Sequence, residues 1–131
     1  MGTARVLLVD DDQLFIRRMQ RALDGEIDLQ VATTSRDALS RAADFTPDVV
    51  VIDSLLGDAD SHGLLDRLRA SWPGSGVGVI CLAQGAGALT RYQQMGEGFF
   101  GMVMRDSGTE GVCAALRSAL AGDACCGERA G

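Results

Sequence analysis

The chain has 131 residues and a mass of 13.7 kDa, which leaves room for one compact domain. Apolar residues make up 47% and charged residues 23%, a balance that excludes a disordered chain. Eighteen acidic against twelve basic side chains give a net charge of −6, which argues against a sequence-independent grip on nucleic acid or anionic lipid.

No apolar run approaches the roughly 20 residues that a membrane-spanning helix needs. The N-terminus shows no basic start, apolar middle and small-residue cleavage site of a secretory signal. The reading is a cytoplasmic domain with no membrane partner. Lysine is absent, so every basic residue is arginine, and the acids are fourteen Asp against four Glu. Aspartate collects at turns, caps and strand ends. Its surplus points to many loops or to a carboxylate site.

Taken in chain order, the first apolar run is Val6-Leu7-Leu8-Val9, then Val49-Val50-Val51-Ile52, then Val77 to Leu82. Runs of this kind without alternation predict strands covered on both faces, as in a parallel sheet between helices. Asp28 to Ala32 and Phe99 to Met104 are weaker strand candidates. Between the runs the apolar period is helical. Leu14, Phe15, Arg18, Met19, Ala22 and Leu23 are expected to share one face, ending at Asp24-Gly25. Ala38, Leu39, Ala42 and Ala43 form a shorter face, started by Thr34 or Ser35 with Asp37. Leu64, Leu65, Leu68 and Trp72 follow, closed by Trp72-Pro73-Gly74. Val112, Ala115, Leu116, Ala119 and Leu120 make the last helix. The order predicts an α/β fold, a doubly wound five-stranded parallel sheet with five helices. Residues 1–122 form the domain and 123–131 a flexible tail or the start of a linker.

In such a sheet ligands bind beyond the carboxyl ends of the strands. Asp10, Asp11 and Asp12 follow the first run, Asp53 the second, Ala83 and Gln84 the third, and Arg105 and Asp106 the last strand. Several carboxylates and one arginine therefore converge on one edge. Gathered carboxylates repel one another unless a cation joins them, and a hard divalent ion with oxygen ligands suits the set. Helix capping explains one of the three consecutive aspartates. It leaves the others and Asp53 to be explained.

With these residues in view, a resemblance becomes specific. Arg5 to Asp12, Pro47 to Asp53 and Gly101 to Ser107 resemble the receiver (CheY-like) domain of two-component response regulators, over about residues 4 to 122. The flavodoxin-like fold of that family agrees with the element order. Asp106 after the basic residue, with Leu116 to Gly122, resembles the NarL/FixJ subfamily. Its members carry a helix-turn-helix output domain, which is not in this chain. The resemblance implies that Asp53 accepts a phosphoryl group. It also implies that Mg²⁺ is held by Asp11, Asp53 and the backbone carbonyl of Leu55, with Asp10 acting through water. The implied partners are a sensor histidine kinase, a second copy of the chain and an output domain that regulates transcription. No enzymatic role beyond gaining and losing that phosphoryl group is expected.

Four departures from the family stand out. Ala83 occupies the usual Ser/Thr position, so a hydroxyl contact to a phosphoryl oxygen, worth about 1.5–3 kcal/mol, is lost. Arg105 stands where lysine is usual, replacing a compact ammonium by a planar fork. Met102 replaces the aromatic residue whose ring reports phosphorylation. Leu56-Gly57 replaces a Met-Pro turn, and Gly63 lies ten residues after Asp53 rather than the eight that the resemblance implies. The expectation is an atypical receiver with an impaired phosphorylation switch, or one working by phosphorylation-independent dimerisation or ligand sensing.

A phosphatase of the haloacid dehalogenase type is the rival reading, with Asp10 and Asp12 as its D-x-D and Asp10 as nucleophile. The absence of lysine and of length for a cap speaks against it. His62 reads as a solvated loop residue beside Asp58 and Asp60, and Cys81 as a small core residue. Cys125 and Cys126 belong to the tail. Gln84 to Ala88 lacks the lysine and hydroxyl of a phosphate-binding loop.

Overall fold

Uninterrupted β-branched runs have no polar face to turn toward water, so each must be covered on both sides. A computed structural model describes residues 3–53, 61–72, 76–83 and 101–121 of the chain, and there the runs are so covered. In chain order the elements are β1 (Ala4–Val9), α1 (Gln13–Ala22), β2 (Ile27–Ala32), α2 (Ser35–Ala42), β3 (Val49–Asp53), α3 (Ser61–Ser71), β4 (Gly78–Ala83) and β5 (Gly101–Met104). A 3₁₀ turn (Arg105–Ser107) then leads into α4 (Gly108–Leu120). The five strands form one parallel sheet in the order β2-β1-β3-β4-β5. Strand order reverses between β1 and β3, which makes their carboxyl ends the place where a crevice opens. The helix expected between Ala83 and Phe99 lies outside the described residues.

Alternate residues of each central strand feed two separate cores. Val6, Leu8, Val49 and Val51 pack with Phe15, Ile16 and Met19 of α1 and with Val112 and Leu116 of α4. Leu7, Val9, Val50 and Ile52 pack on the other face with Ala38 of α2 and Leu64, Leu65 and Leu68 of α3. Each core thus draws on both central strands, so a slip of one residue would exchange the two faces.

Helix ends follow the expected chemistry. Thr34 is the N-cap of α2, its hydroxyl accepting from the Asp37 N–H at 3.0 Å. Beyond α1 the chain turns at Gly25, whose φ of +79° a residue with a side chain rarely adopts. Trp72 closes α3 and is buried, its indole N–H donating to the carbonyls of Ala42 at 3.1 Å and Phe45 at 3.2 Å. Cys81 is buried in β4, as expected for a core residue.

Three details differ from the sequence reading. Leu14 is 54% exposed, and Arg18 and Ala22 are exposed as well, whereas Ile16 is buried. Asp12 starts α1 in a register that turns Phe15, Ile16, Met19 and Leu23 inward, which leaves Leu14 on the flank. Ala43 lies past the end of α2 and is exposed. Finally, β2 begins one residue earlier, at Ile27, which is buried against the first core.

Trp72→Phe is expected to cost about 1–2 kcal/mol, because the carbonyls of Ala42 and Phe45 lose a buried donor; urea unfolding followed by far-UV circular dichroism measures it. On the surface, Arg117 makes a two-pronged contact with Glu26 at 2.8 and 3.0 Å. Hydrogen bonding to Arg117 holds the Glu26 carboxyl below its ordinary pKa. A lowered folded-state pKa adds stability above the unfolded value that is lost as pH falls through the folded one. Glu26→Gln should therefore lower the melting temperature at pH 7, and the gap should close as the pH drops below the ordinary carboxylate range.

Candidate functional site

The first two strands of the switch point end in acid. Asp10 continues β1 by donating its N–H to the Ala32 carbonyl at 3.0 Å, which fixes its side chain inside the crevice with no exposure. Asp53 is the last residue of β3 and is 2% exposed. Asp11 lies between them in sequence and is exposed. One oxygen from each of Asp10, Asp11 and Asp53 lies within 4.8 Å of the others. These are the acids singled out from the sequence, and the fold brings them together.

The third consecutive aspartate has another task. One Asp12 oxygen accepts from the N–H groups of Leu14 at 3.0 Å and Phe15 at 3.2 Å and so caps α1. Its own N–H donates to Asp10 Oδ1 at 2.9 Å, locking the turn between strand and helix. The hydrogen bonds its carboxylate accepts, the one from the Phe15 N–H foremost, together with Arg105, hold the Asp12 carboxyl below its ordinary pKa. Asp106, on the 3₁₀ turn, is exposed and is not one of the three gathered acids.

Arg105 dominates the electrostatics. Its guanidinium donates to Asp10 Oδ2 at 2.5 Å and Asp10 Oδ1 at 3.2 Å, and a further N–H reaches Asp12 Oδ2 at 3.0 Å. Asp53 Oδ2 is 3.7 Å away. The cation also lies over the Phe15 ring, 4.3 Å from its centroid, and its side chain is only 13% exposed. Burial alone would lower the Arg105 pKa, but hydrogen bonding to Asp10 and the acidic charges around it outweigh burial and raise it above its ordinary value. For Asp10, burial pushes the carboxyl pKa up against the pull of Arg105 and the Asp12 N–H. The forked pairing uses both Asp10 oxygens as acceptors, which is the ionised form. Convergence of an arginine on the acids was readable in the sequence. Its two-pronged hold on Asp10 and its stacking on Phe15 were not, since no local pattern links residues 90 and more positions apart.

Local backbone aims this arginine. Ser107 Oγ donates to the Met104 carbonyl at 2.7 Å and closes the 3₁₀ turn. Gly108 then takes φ of +84°, a conformation that favours glycine, to start α4 in a new direction. Beside this turn Ala83, 1% exposed at the end of β4, packs with Met102 of β5, 7% exposed. Met104 covers that pair. Leu55 lies outside the described residues, as do the side chain of His62, Asp58, Asp60, Gln84 to Ala88, Cys125 and Cys126.

The donor set fits a hard divalent ion. Three carboxylate oxygens within a few ångströms match the oxygen-only preference of Mg²⁺, which keeps waters for its remaining positions. No helix among the described residues is long and apolar enough to cross a membrane.

Comparison with known proteins agrees with this geometry. Residues 6–117 match the response regulator receiver domain family, and the chain belongs to it. Its architecture is that of a CheY-like receiver. A protein-glutamate methylesterase/protein-glutamine glutaminase from Carboxydothermus hydrogenoformans is 27% identical over 112 residues, 83% of this chain and 31% of that one. The transcriptional regulatory protein TrcR of Mycobacterium tuberculosis is 38% identical over 68 residues, 51% of this chain and 26% of that protein. The chain thus spans less than a third of the length of these curated relatives. Among solved structures, a putative response regulator from Chloroflexus aurantiacus superposes with a TM-score of 0.77 at 20% identity, covering 92% of this chain and 99% of that one. A CheY-like receiver domain protein from Methanospirillum hungatei gives 0.74 at 17%, covering 92% and 96%. At such identities the likeness is one of fold.

Family membership sets the phosphatase reading aside, and the geometry gives the reason. An Asp10 nucleophile would need a free oxygen facing substrate, yet both are held by Arg105 and one also by the Asp12 N–H.

Asp12 combines a helix cap with a contact to Arg105, so its variants separate the two. Asp12→Ala is expected to lose about 1–2 kcal/mol of stability by urea unfolding, whereas Asp12→Asn, which still caps, should lose less.

Proposed function

We propose that this receiver takes a phosphoryl group on Asp53 and that its conventional switch is impaired. The observation that carries the reading is the meeting of Asp53 with Asp10 and Asp11 at the carboxyl edge of a receiver fold. An Asp53 carboxylate oxygen forms the new bond to phosphorus while the bond from phosphorus to the donor oxygen or nitrogen breaks, and the donor leaves with that electron pair. The product is an acyl phosphate, later lost to water. Phosphoryl transfer of this kind is mainly positioning and charge neutralisation. Asp10, Asp11 and Asp53, with the Leu55 carbonyl, would hold Mg²⁺, which when bound offsets negative charge on the phosphoryl oxygens. Arg105 supplies a further positive charge 3.7 Å from Asp53.

Impairment of the switch rests on two contacts. Ala83 offers no hydroxyl to a phosphoryl oxygen, and its methyl group is committed to an apolar contact with Met102. A ligand shifts a conformational equilibrium only through contacts that differ between the states. Moving a population from 1:99 to 99:1 takes about 5.5 kcal/mol of such difference, and one lost hydroxyl contact removes a large part of it.

The wider role we infer is transcriptional control of the NarL/FixJ kind. A sensor histidine kinase would be the donor, an output domain the effector and a second copy the partner, in the cytoplasm. A relative over half of the chain is a transcriptional regulatory protein, which supports that direction. A second reading, phosphorylation-independent dimerisation or ligand sensing, draws on the Arg105–Asp10 pair, which already supplies a cation to the crevice.

Intact-mass measurement after incubation with acetyl phosphate and Mg²⁺ tests the proposal. The expected result is one phosphoryl group per chain, absent in Asp53→Asn. No gain in the wild-type protein would reject Asp53 as an acceptor and favour the second reading.

A further inference from the structure

The crevice carries an internal cation as well as a place for an external one, and both draw on Asp10. We propose that Arg105 competes with the divalent ion: the guanidinium must release Asp10 before the acidic cluster binds metal at full strength, so residue 105 sets the metal affinity. This rests on the metal site proposed above.

Both Asp10 oxygens accept hydrogen bonds from Arg105, and Oδ1 also accepts from the Asp12 N–H. A carboxylate has roughly four acceptor positions. Those on Asp10 are therefore largely taken by the arginine and the turn, and few remain for an ion or for its water. The second constraint is charge. The Arg105 guanidinium lies 3.7 Å from Asp53 Oδ2 and 2.5 Å from Asp10 Oδ2, so an ion held among these acids would meet a fixed positive group. Repulsion between charges only a few ångströms apart in a part-buried site is not screened as it is in water.

The third constraint is anchorage. Arg105 cannot drift aside freely, because Phe15 lies under its face and Asp12 holds another N–H. Asp12 caps α1 and Phe15 lies in its first turn, so release of Arg105 would disturb the start of that helix. Lysine would act in this way only in part. Its compact ammonium keeps the charge but lacks the planar fork that spans both oxygens of one carboxylate while reaching a second. Arg105 is thus an internal competitor of the metal for Asp10.

Binding of Mn²⁺, followed by electron paramagnetic resonance of the free ion, reads the competition without any phosphoryl transfer. Arg105→Gln is expected to bind Mn²⁺ about tenfold more tightly than the wild type, or more. Arg105→Lys should fall between, since it keeps the charge and loses the fork. Arg105→Gln should also melt at a lower temperature without metal and recover more on adding Mn²⁺ than the wild type does, the ion taking over the arginine's role. In the wild-type protein, saturating Mg²⁺ should shift the Arg105 Nε–H resonance.

Equal Mn²⁺ affinity across the wild type and both variants would overturn the proposal, as would an Arg105 resonance unmoved by saturating Mg²⁺. If Arg105→Gln does not fold, the comparison of Arg105→Lys with the wild type decides. Unchanged affinity alongside normal phosphorylation of Asp53 would defeat this inference alone. Absence of both metal binding and phosphorylation in every form would defeat the proposed function with it.

Discussion

A carboxylate removed from water is costly unless a cation and hydrogen bonds meet it in good geometry. Asp10 is wholly buried, and Arg105 meets it with two donors. Much of the functional edge is arranged around that pair. β1 and β5 are separated in the sheet by β3 and β4, yet their carboxyl ends are joined through this contact. The 3₁₀ turn, the positive φ of Gly108 and the ring of Phe15 under the guanidinium together hold the arginine in line with Asp10. Removing one partner of such a pair strands the other charge, at a cost of about 3–5 kcal/mol. The pair is therefore a structural element as well as part of the site.

The same edge divides into a polar half and an apolar half. Asp10, Asp11, Asp53 and Arg105 gather charge at the ends of β1, β3 and β5, while Ala83 at the end of β4 packs with Met102 and Met104 of β5 in a small apolar cluster. On the proposed function, chemistry at Asp53 and transmission of its result are separable demands. The first needs charge balance close to the acceptor, which the polar half contains. The second needs groups that make different contacts before and after the reaction, and two packed apolar side chains offer few.

Solved structures at 17% and 20% identity share the architecture, which shows how little of the sequence the fold demands. Apolar central strands, helices with one buried face and short connections suffice. Where the crevice sits follows from strand order. The charge balance inside it depends instead on individual side chains, and here an arginine in a lysine-free chain takes a place next to three acids.

Much of this protein was legible in residue order. The runs Val6–Val9 and Val49–Ile52 had to be strands buried on both faces, and Leu64, Leu65, Leu68 and Trp72 had to face a core. In each case the spacing of apolar groups leaves no other way to hide them from water. That Asp10, Asp11 and Asp53 share one edge also followed, because residues just after parallel strands end on the same side of the sheet. The inward face of α1 does not follow from the sequence at Leu14 and Ile16, since both are apolar and only the register set by the Asp12 cap chooses between them. Which acid Arg105 would hold lay beyond the sequence as well. Asp10, Asp12 and Asp53 are equivalent partners by residue type, and distance along the chain says nothing about distance in space. Only the packing of the 3₁₀ turn and Phe15 settles it, because a planar fork bonds where its plane is aimed.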